Sequence, residues 1–301
     1  MTPTDPRAQA APLLDDAQTD RLAEVLRSPF EVLPQIPSTN DELVERAQRA
    51  ARRGQPLPDL SLLAAEHQSA GRGRLDRQWV TGPGDALTFS LLLRPAHGSG
   101  PTAVPLPPQS FPWLTVLLAA AIAQTLRAQG IEASLKWPND VLVRDRKLCG
   151  ILATMVAPTP GAAPTVVVGA GINVSQRELP VPTATSLALE VQDSDAVPSR
   201  AGLLTAVLGR FADTLDRASQ DPAGQLGRGG ELRSEVEAQL DTLGREVTLQ
   251  LPGARDPLTA TATGLGDSGQ LVVRARDRRE HEYSAGDVVH VRPAHGGGGP
   301  A

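Results

Sequence analysis

A helix with no solvent face is the strongest constraint this sequence places on its fold. Residues 111–129 are apolar nearly all round at helical spacing, and such a helix is stable only when it is covered on every side. A Pro-rich connection over 101–108 leads into it and Gly130 ends it. The rest of the chain must supply the cover. At 301 residues and 40% hydrophobic content it has material for one large domain and a small second one, since domains run to about 100–200 residues.

The flanking pattern is mixed. Leu22, Val25 and Leu26 fall at helical spacing within 15–27, and a second helix starts near Asn40, capped by the run Ser38-Thr39-Asn40-Asp41-Glu42 and ended by Gly54. Strands are expected at 30–36, 59–66 and 86–93, then at 134–137 and 140–143. A turn at Arg144-Asp145-Arg146 joins the last of these to the apolar run 148–156, which makes a hairpin. Residues 165–168 read as a buried strand running into Gly169-Ala170-Gly171-Ile172-Asn173, and 201–218 and 231–240 as helices.

From Arg245 the character changes to short β runs at 247–251, 258–263, 270–274 and 288–291, broken by glycines. This has the length and rhythm of a small SH3-like barrel. The expected organisation is a tail over 1–15, a main domain over 16–243, a barrel over 244–294 and a Gly-rich tail over 295–301.

Composition excludes several classes of function. A single cysteine, Cys149, leaves neither a disulfide framework nor a cysteine-based zinc cluster, and the five histidines never fall at metal-ligand spacing, so no protein-held metal is expected. The net charge of −5 offers no basic face for DNA. The sequence shows no secretory leader and no apolar run that reads as a membrane span, so a cytoplasmic protein without membrane partners is expected. The basic residues carry a different signal. Of 29, only Lys136 and Lys147 are lysine, eleven positions apart. Where Arg serves everywhere else, a retained Lys suggests a need for a compact, flexible ammonium; chance in an Arg-biased chain is the plainer alternative.

Four segments carry chemistry-bearing residues. In Gln68-Ser69-Ala70-Gly71-Arg72-Gly73-Arg74-Leu75-Asp76-Arg77-Gln78-Trp79, alternating glycines let backbone N–H groups converge on an anion while arginines add forked donors; a solvated Arg-bearing turn is the ordinary reading, against which Trp79 offers an apolar wall. Leu135-Lys136-Trp137-Pro138-Asn139-Asp140 leads to Arg146-Lys147-Leu148-Cys149-Gly150-Ile151, so both ammonium groups can reach one cleft, although Pro-Asn-Asp alone is a common turn. Gly169-Ala170-Gly171-Ile172-Asn173 lacks the third glycine of a dinucleotide fingerprint, and reads either as backbone brought close to a ligand or as a glycine bulge. Ser38-Thr39-Asn40 is a helix cap that can also bind a neutral polar head group.

In this order and spacing, Ser-Thr-Asn, Gln-x-x-Gly-Arg-Gly-Arg-x-x-Arg-x-Trp, Lys-Trp-Pro-Asn-Asp, Arg-Lys-x-x-Gly-Ile and Gly-x-Gly-Ile-Asn, the chain resembles the biotin protein ligases. The likeness runs through the motifs from about Ser38 to Asn173 and more loosely to about Pro293. It implies an α+β fold, a mixed-sheet biotin/lipoate ligase-like catalytic domain with helices on one face plus the small C-terminal barrel. It implies a reaction as well: biotin and ATP with Mg²⁺ form biotinyl-5′-AMP, and the biotinyl group then passes to one lysine of biotin carboxyl carrier protein.

Carried over residue by residue, Ser38, Thr39, Asn40 and Gln68 meet the ureido ring, and Gly71, Arg72, Gly73 and Arg74 form a loop that closes over the ligand, with Trp79 against its apolar part. Lys147, with Arg74, is the catalytic residue at the carboxylate and α-phosphate; Gly171 and Asn173 line the acyl and nucleotide sides, and Lys136, Asn139 and Asp140 face the phosphates, Asp140 being also the one candidate magnesium contact. A departure stands at Leu75-Asp76, where a glycine commonly holds the second position. Rivals are lipoate or octanoate transfer on the same fold, and a biotin-binding protein without activity, which retention of both lysines argues against. The 37 residues before Ser38 are too few for the winged-helix DNA-binding domain of some relatives. Monomers and homodimers both occur in the family.

Overall fold

The computed structural model describes residues 12–95, 104–158, 160, 163–193, 196–251, 253–284 and 290–293. The expected central helix is α3 (Pro112–Arg127), which buries twelve of its sixteen residues. With the turn before it, this helix is long and apolar enough by composition to cross a membrane, contrary to the sequence expectation. Its burial inside the protein makes it a core helix instead.

The sheet against it has seven strands in the order β1 (Phe30–Leu33), β2 (Ser61–Ala65), β5 (Ala86–Leu93), β9 (Val166–Asn173), β8 (Arg146–Met155), β7 (Asp140–Val143) and β6 (Ala133–Lys136). β1 and β2 are parallel and every other pair is antiparallel, so the sheet is mixed. The strand expected over 30–36 stops at Leu33; Ile36 makes only an isolated bridge to Gln68. Pro34 and Pro37 have no N–H to continue a ladder.

Side chains alternate across a sheet, and here the two faces differ. Leu62 and Ala64 of β2, Leu87, Phe89, Leu91 and Leu93 of β5, and Val166, Val168, Ala170 and Ile172 of β9 join one core with α3, α1 (Asp16–Leu26) and α5 (Arg200–Gln220). The opposite residues Leu63, Ala65, Leu92 and Val167 pack instead on Leu43 and Ala47 of α2 (Thr39–Arg52). Helices thus lie mainly on one face, with α2 alone on the other. Toward the N-terminus of α2 the second face carries Ser90, Gly169, Gly171 and Asn173, small or polar residues that line a cleft.

The N-terminal tail expected over 1–15 is anchored at its described end. Leu13 is buried, its N–H held by the Glu66 carboxylate, and Asp15 caps α1; residues 1–11 and the expected C-terminal tail lie outside the described residues.

The C-terminal β runs form a five-stranded antiparallel sheet, ordered β13 (Glu280–Tyr283), β12 (Leu271–Arg274), β11 (Leu258–Leu265), β10 (Glu246–Gln250), β14 (His290–Pro293). Of the strand expected over 288–291, the first two residues lie outside the described residues. This sheet shares the main core through Val247, Leu249, Ala262 and Leu271. Its 265–269 turn is fastened by two indoles: Trp113 Nε1 donates to Asp267 O at 2.9 Å and Trp137 Nε1 to Gly269 O at 3.1 Å.

Candidate active site

This part of the second face is the floor of a cleft of about 1120 Å³. Its wall begins at the N-terminus of α2. Ser38 caps the helix, accepting from Asp41 N at 3.3 Å, and so holds the next two residues over the sheet. Thr39 donates from N and Oγ1 to Gln68 Oε1 at 2.7 and 3.1 Å and its hydroxyl lies 2.9 Å from Ser90 Oγ. Asn40 Nδ2 donates to Leu152 O at 2.9 Å, leaving its buried Oδ1 without a partner. With Gln68 Nε2, this end presents both donors and acceptors, held rigidly by neighbours.

The glycines of the floor are required by close approach. A Cβ on Gly169 would lie 2.9 Å from Asn40 Nδ2 and Ser90 Oγ, and one on Gly171 only 2.5 Å from the Trp79 ring. Trp79 comes from the Gly-Arg loop, where β3 (Gly71–Arg72) pairs with β4 (Gln78–Trp79). Gly71 is placed behind the cleft: a Cβ there would meet Trp79 O at 2.5 Å, so it shapes the loop from below. Arg72 ion-pairs with Asp41 at 3.1 Å and lies 4.0 Å from Asp76. Burial lowers the pKa of Arg74; Asp140 opposes that shift and Arg77 adds to it. A guanidinium remains charged through such a shift, so Arg74 is a partly desolvated cation on the cleft wall.

Lys147 reaches the cleft through a β-bulge. β7 and β8 pair Asp140 with Gly150 and Val141 with Cys149, and then the register shifts so that Leu142 faces Lys147. Leu148 is the extra residue, and it and Cys149 are both fully buried in the core. An extra residue reverses the alternation beyond it, which puts Lys147 on the cleft side with Gly150. Its Nζ pairs with Asp140 Oδ1 at 2.6 Å and sits 6.0 Å from the Trp79 ring centroid. The ammonium is not aligned for a hydrogen bond to Asp140 Oδ1, so the contact is an ion pair. Burial pushes the Cys149 thiol far up, and it stays an inert core residue.

The other expected residues line the same cleft, each with restrictions that sequence alone does not reveal. Asn139 Nδ2 donates to Ile151 O at 2.7 Å and Asn173 Nδ2 to Thr185 O at 2.9 Å, so the side-chain amide of each is tied to the backbone beside the cleft. Lys136 lies at the far end beside Asp241, Thr242 and Arg245. Burial raises the Asp241 pKa, Arg245 and Lys136 act against it, and Asp145 reinforces it. The motif reading missed Asp41, Ser90, Asp241, Arg245 and the 179–184 wall. Only the i, i+4 pair Asp241 and Arg245 left a trace in the sequence.

A glycine floor between a neutral hydrogen-bonding end and a cationic wall suits a ligand with a polar ring, an apolar stretch and an acidic terminus. Residues 32–173 match the Biotin/lipoate A/B protein ligase family and 242–291 the Biotin protein ligase C terminal domain, which sets the class. Within it, the chain is 34% identical over 269 residues to the biotin--[acetyl-CoA-carboxylase] ligase of Mycobacterium tuberculosis, covering 87% of this chain and 89% of the relative. It is 36% identical over 149 residues to the bifunctional ligase/repressor BirA of Escherichia coli, spanning 49% of this chain and 41% of BirA. The biotin protein ligase from Aquifex aeolicus in complex with biotin and ATP superposes with a TM-score of 0.68 at 26% identity, over 88% of this chain and 99% of that one. The chain belongs to the biotin protein ligase family, and is a ligase.

Proposed function

We propose that this protein joins biotin to ATP, releases pyrophosphate, and passes the biotinyl group from the resulting biotinyl-5′-AMP to a lysine of a biotin carboxyl carrier protein in the cytoplasm. The observation that carries this is the bulge-aimed Lys147 ammonium, 2.6 Å from Asp140 and over the glycine floor, in line with a rigid donor–acceptor pocket at Thr39, Asn40 and Gln68. In the first step a carboxylate oxygen of biotin bonds to the α-phosphorus as the bond to pyrophosphate breaks. Two anions must be held together while charge spreads over phosphate oxygens, work suited to preorganised cations and backbone N–H groups. Lys147 and Arg74 supply the cations. In the second step the acceptor amine attacks the acyl carbon and AMP leaves.

The ureido ring meets Ser38, Thr39, Asn40 and Gln68, Trp79 walls the acyl chain beside Gly171, and the Gly-Arg loop from Gly71 through Arg72 and Gly73 excludes water from the mixed anhydride. Lys136 faces the phosphates. Asn139, tied to β8, orders the hairpin rather than binding phosphate, and Asn173 offers its oxygen to the nucleotide. Magnesium enters with ATP: Asp140 is held by Lys147, and no cluster of three metal-ligating side chains occurs among the described residues. The C-terminal sheet is read as an SH3-like barrel.

The test is incubation with ATP, Mg²⁺ and either biotin or lipoate, reading pyrophosphate release. Biotin-dependent release is expected, and release with lipoate alone would select lipoate ligation instead. Lys147→Ala is expected to abolish the signal with the circular dichroism spectrum and Tm retained, since losing one preorganised donor costs about 10²–10³ in rate. Near-normal release from that variant sinks the assignment.

A further inference from the structure

Behind the cleft lies a buried carboxylate that the reaction above does not use. Glu190, at the end of the short helix α4 (Leu187–Glu190), has a side chain only 1% exposed. It accepts from Arg146 Nη2 at 2.7 Å and from Thr185 Oγ1 at 2.6 Å, and Arg144 approaches its second oxygen at 3.6 Å. Both partners flank Lys147. Arg146 is its neighbour in β8. Thr185, fully buried, donates from its backbone N to Lys147 O at 2.8 Å, while Lys147 N donates to Thr183 O at 2.8 Å. The backbone of Lys147 is thus clamped on both sides by the 183–185 segment, and Glu190 ties that segment back to the hairpin, closing a ring around the residue. Thr185 O also receives Asn173 Nδ2, which links the ring to the floor.

Stability does not explain the choice of a carboxylate here, because a buried ion pair is often matched or bettered by apolar packing. What a carboxylate adds is direction: two short bonds that fix where the Lys147 strand stands. A lysine side chain carries four rotatable carbons and no fork to orient it, so the placement of its ammonium depends on a fixed backbone anchor. We propose that Glu190, acting through Thr185 and Arg146, is the positioning residue for Lys147. This inference rests on the proposed function only for its rate readout.

The two lysines make the test specific, since amine labelling with a succinimidyl ester and mass spectrometry compares Lys147 directly with Lys136. Glu190→Gln removes the charge and Thr185→Val removes the hydroxyl bond. Both are expected to raise labelling of Lys147 several-fold relative to Lys136 and to lower kcat for biotin-dependent pyrophosphate release by about tenfold or more, the scale of a small misplacement, with KM for biotin nearly unchanged. Thr185→Ser, which returns the hydroxyl, restores both readouts. Unchanged labelling and kcat accompanied by a lower Tm alone overturn the proposal. If Glu190→Gln does not fold, Thr185→Val decides by the same criteria. A wild-type protein that releases no pyrophosphate with biotin defeats the proposed function instead, and the labelling ratio still decides the positioning role.

Discussion

Gly171 shows how much of the cleft is set by an absent atom. A methyl group there would stand 2.5 Å from the Trp79 ring, so the indole has to leave its place on the floor to admit it. Overpacking of this kind costs about 1–3 kcal/mol. Gly171→Ala is therefore expected to raise KM for biotin roughly five- to a hundredfold while Tm changes little, because Trp79 can swing away from a floor that is open to the cleft. An unchanged KM would mean that Trp79 does not cover the ligand. Asn40 makes the complementary point. Its Nδ2 is committed to Leu152 O, and its buried Oδ1 has no partner; a buried acceptor left unpaired costs about 1–3 kcal/mol, which a ligand N–H can recover.

The β3–β4 hairpin is the element that carries unfavourable backbone geometry at the rim of the cleft. Leu75 and Asp76 at its tip both have a φ of 56°, in the left-handed region that glycine enters without strain. Asp accepts this region less readily than glycine does. Its carboxylate, almost fully exposed, also stands 4.0 Å from Arg72. Asp76→Gly is expected to tighten binding of biotinyl-5′-AMP by about two- to fivefold at low salt, the scale of an exposed charge contact, and titration calorimetry at two salt concentrations checks this; weaker binding would show that Asp76 helps to shape the loop.

Helical periodicity and end signals made α3 and the Ser38 cap legible, and the Gly-x-Gly run was legible as close backbone approach. Four features were not. The bulge at Leu148 depends on the register of β7, which no local pattern encodes. The position of α2 opposite the other helices depends on which strands it covers. β13, Glu280-His281-Glu282-Tyr283, is an exposed edge strand with no apolar alternation to announce it. The clamp formed by Thr185 and Glu190 joins residues whose roles arise only from contact with Lys147, 38 positions or more upstream.

At the scale of the whole molecule, the C-terminal sheet is attached to the elements that carry the site. Trp137 follows Lys136 directly, and its indole donates to Gly269 O at 3.1 Å while its backbone N donates to Thr242 Oγ1 at 3.1 Å. Trp137→Phe keeps the apolar contact and leaves the Gly269 carbonyl unpaired, so a loss of about 1–3 kcal/mol is expected, read as a lower midpoint in urea denaturation. Because the cores are continuous, the transition is expected to stay single; two separate transitions would show that the sheet melts on its own.

The pairing of Lys147 with Asp140 at 2.6 Å bears on the fate of the protein's own product. An activated acyl group attacks any free amine within reach, and a protein that makes one in its interior is its own first target. Here the chain holds only two side-chain amines, and the one that lines the glycine floor, Lys147, is held in an ion pair by Asp140. Every other basic position is arginine, which forms no comparable amide at neutral pH. The scarcity of lysine and the ion pair act together as chemical self-protection, reserving the acyl group for the amine that arrives from outside.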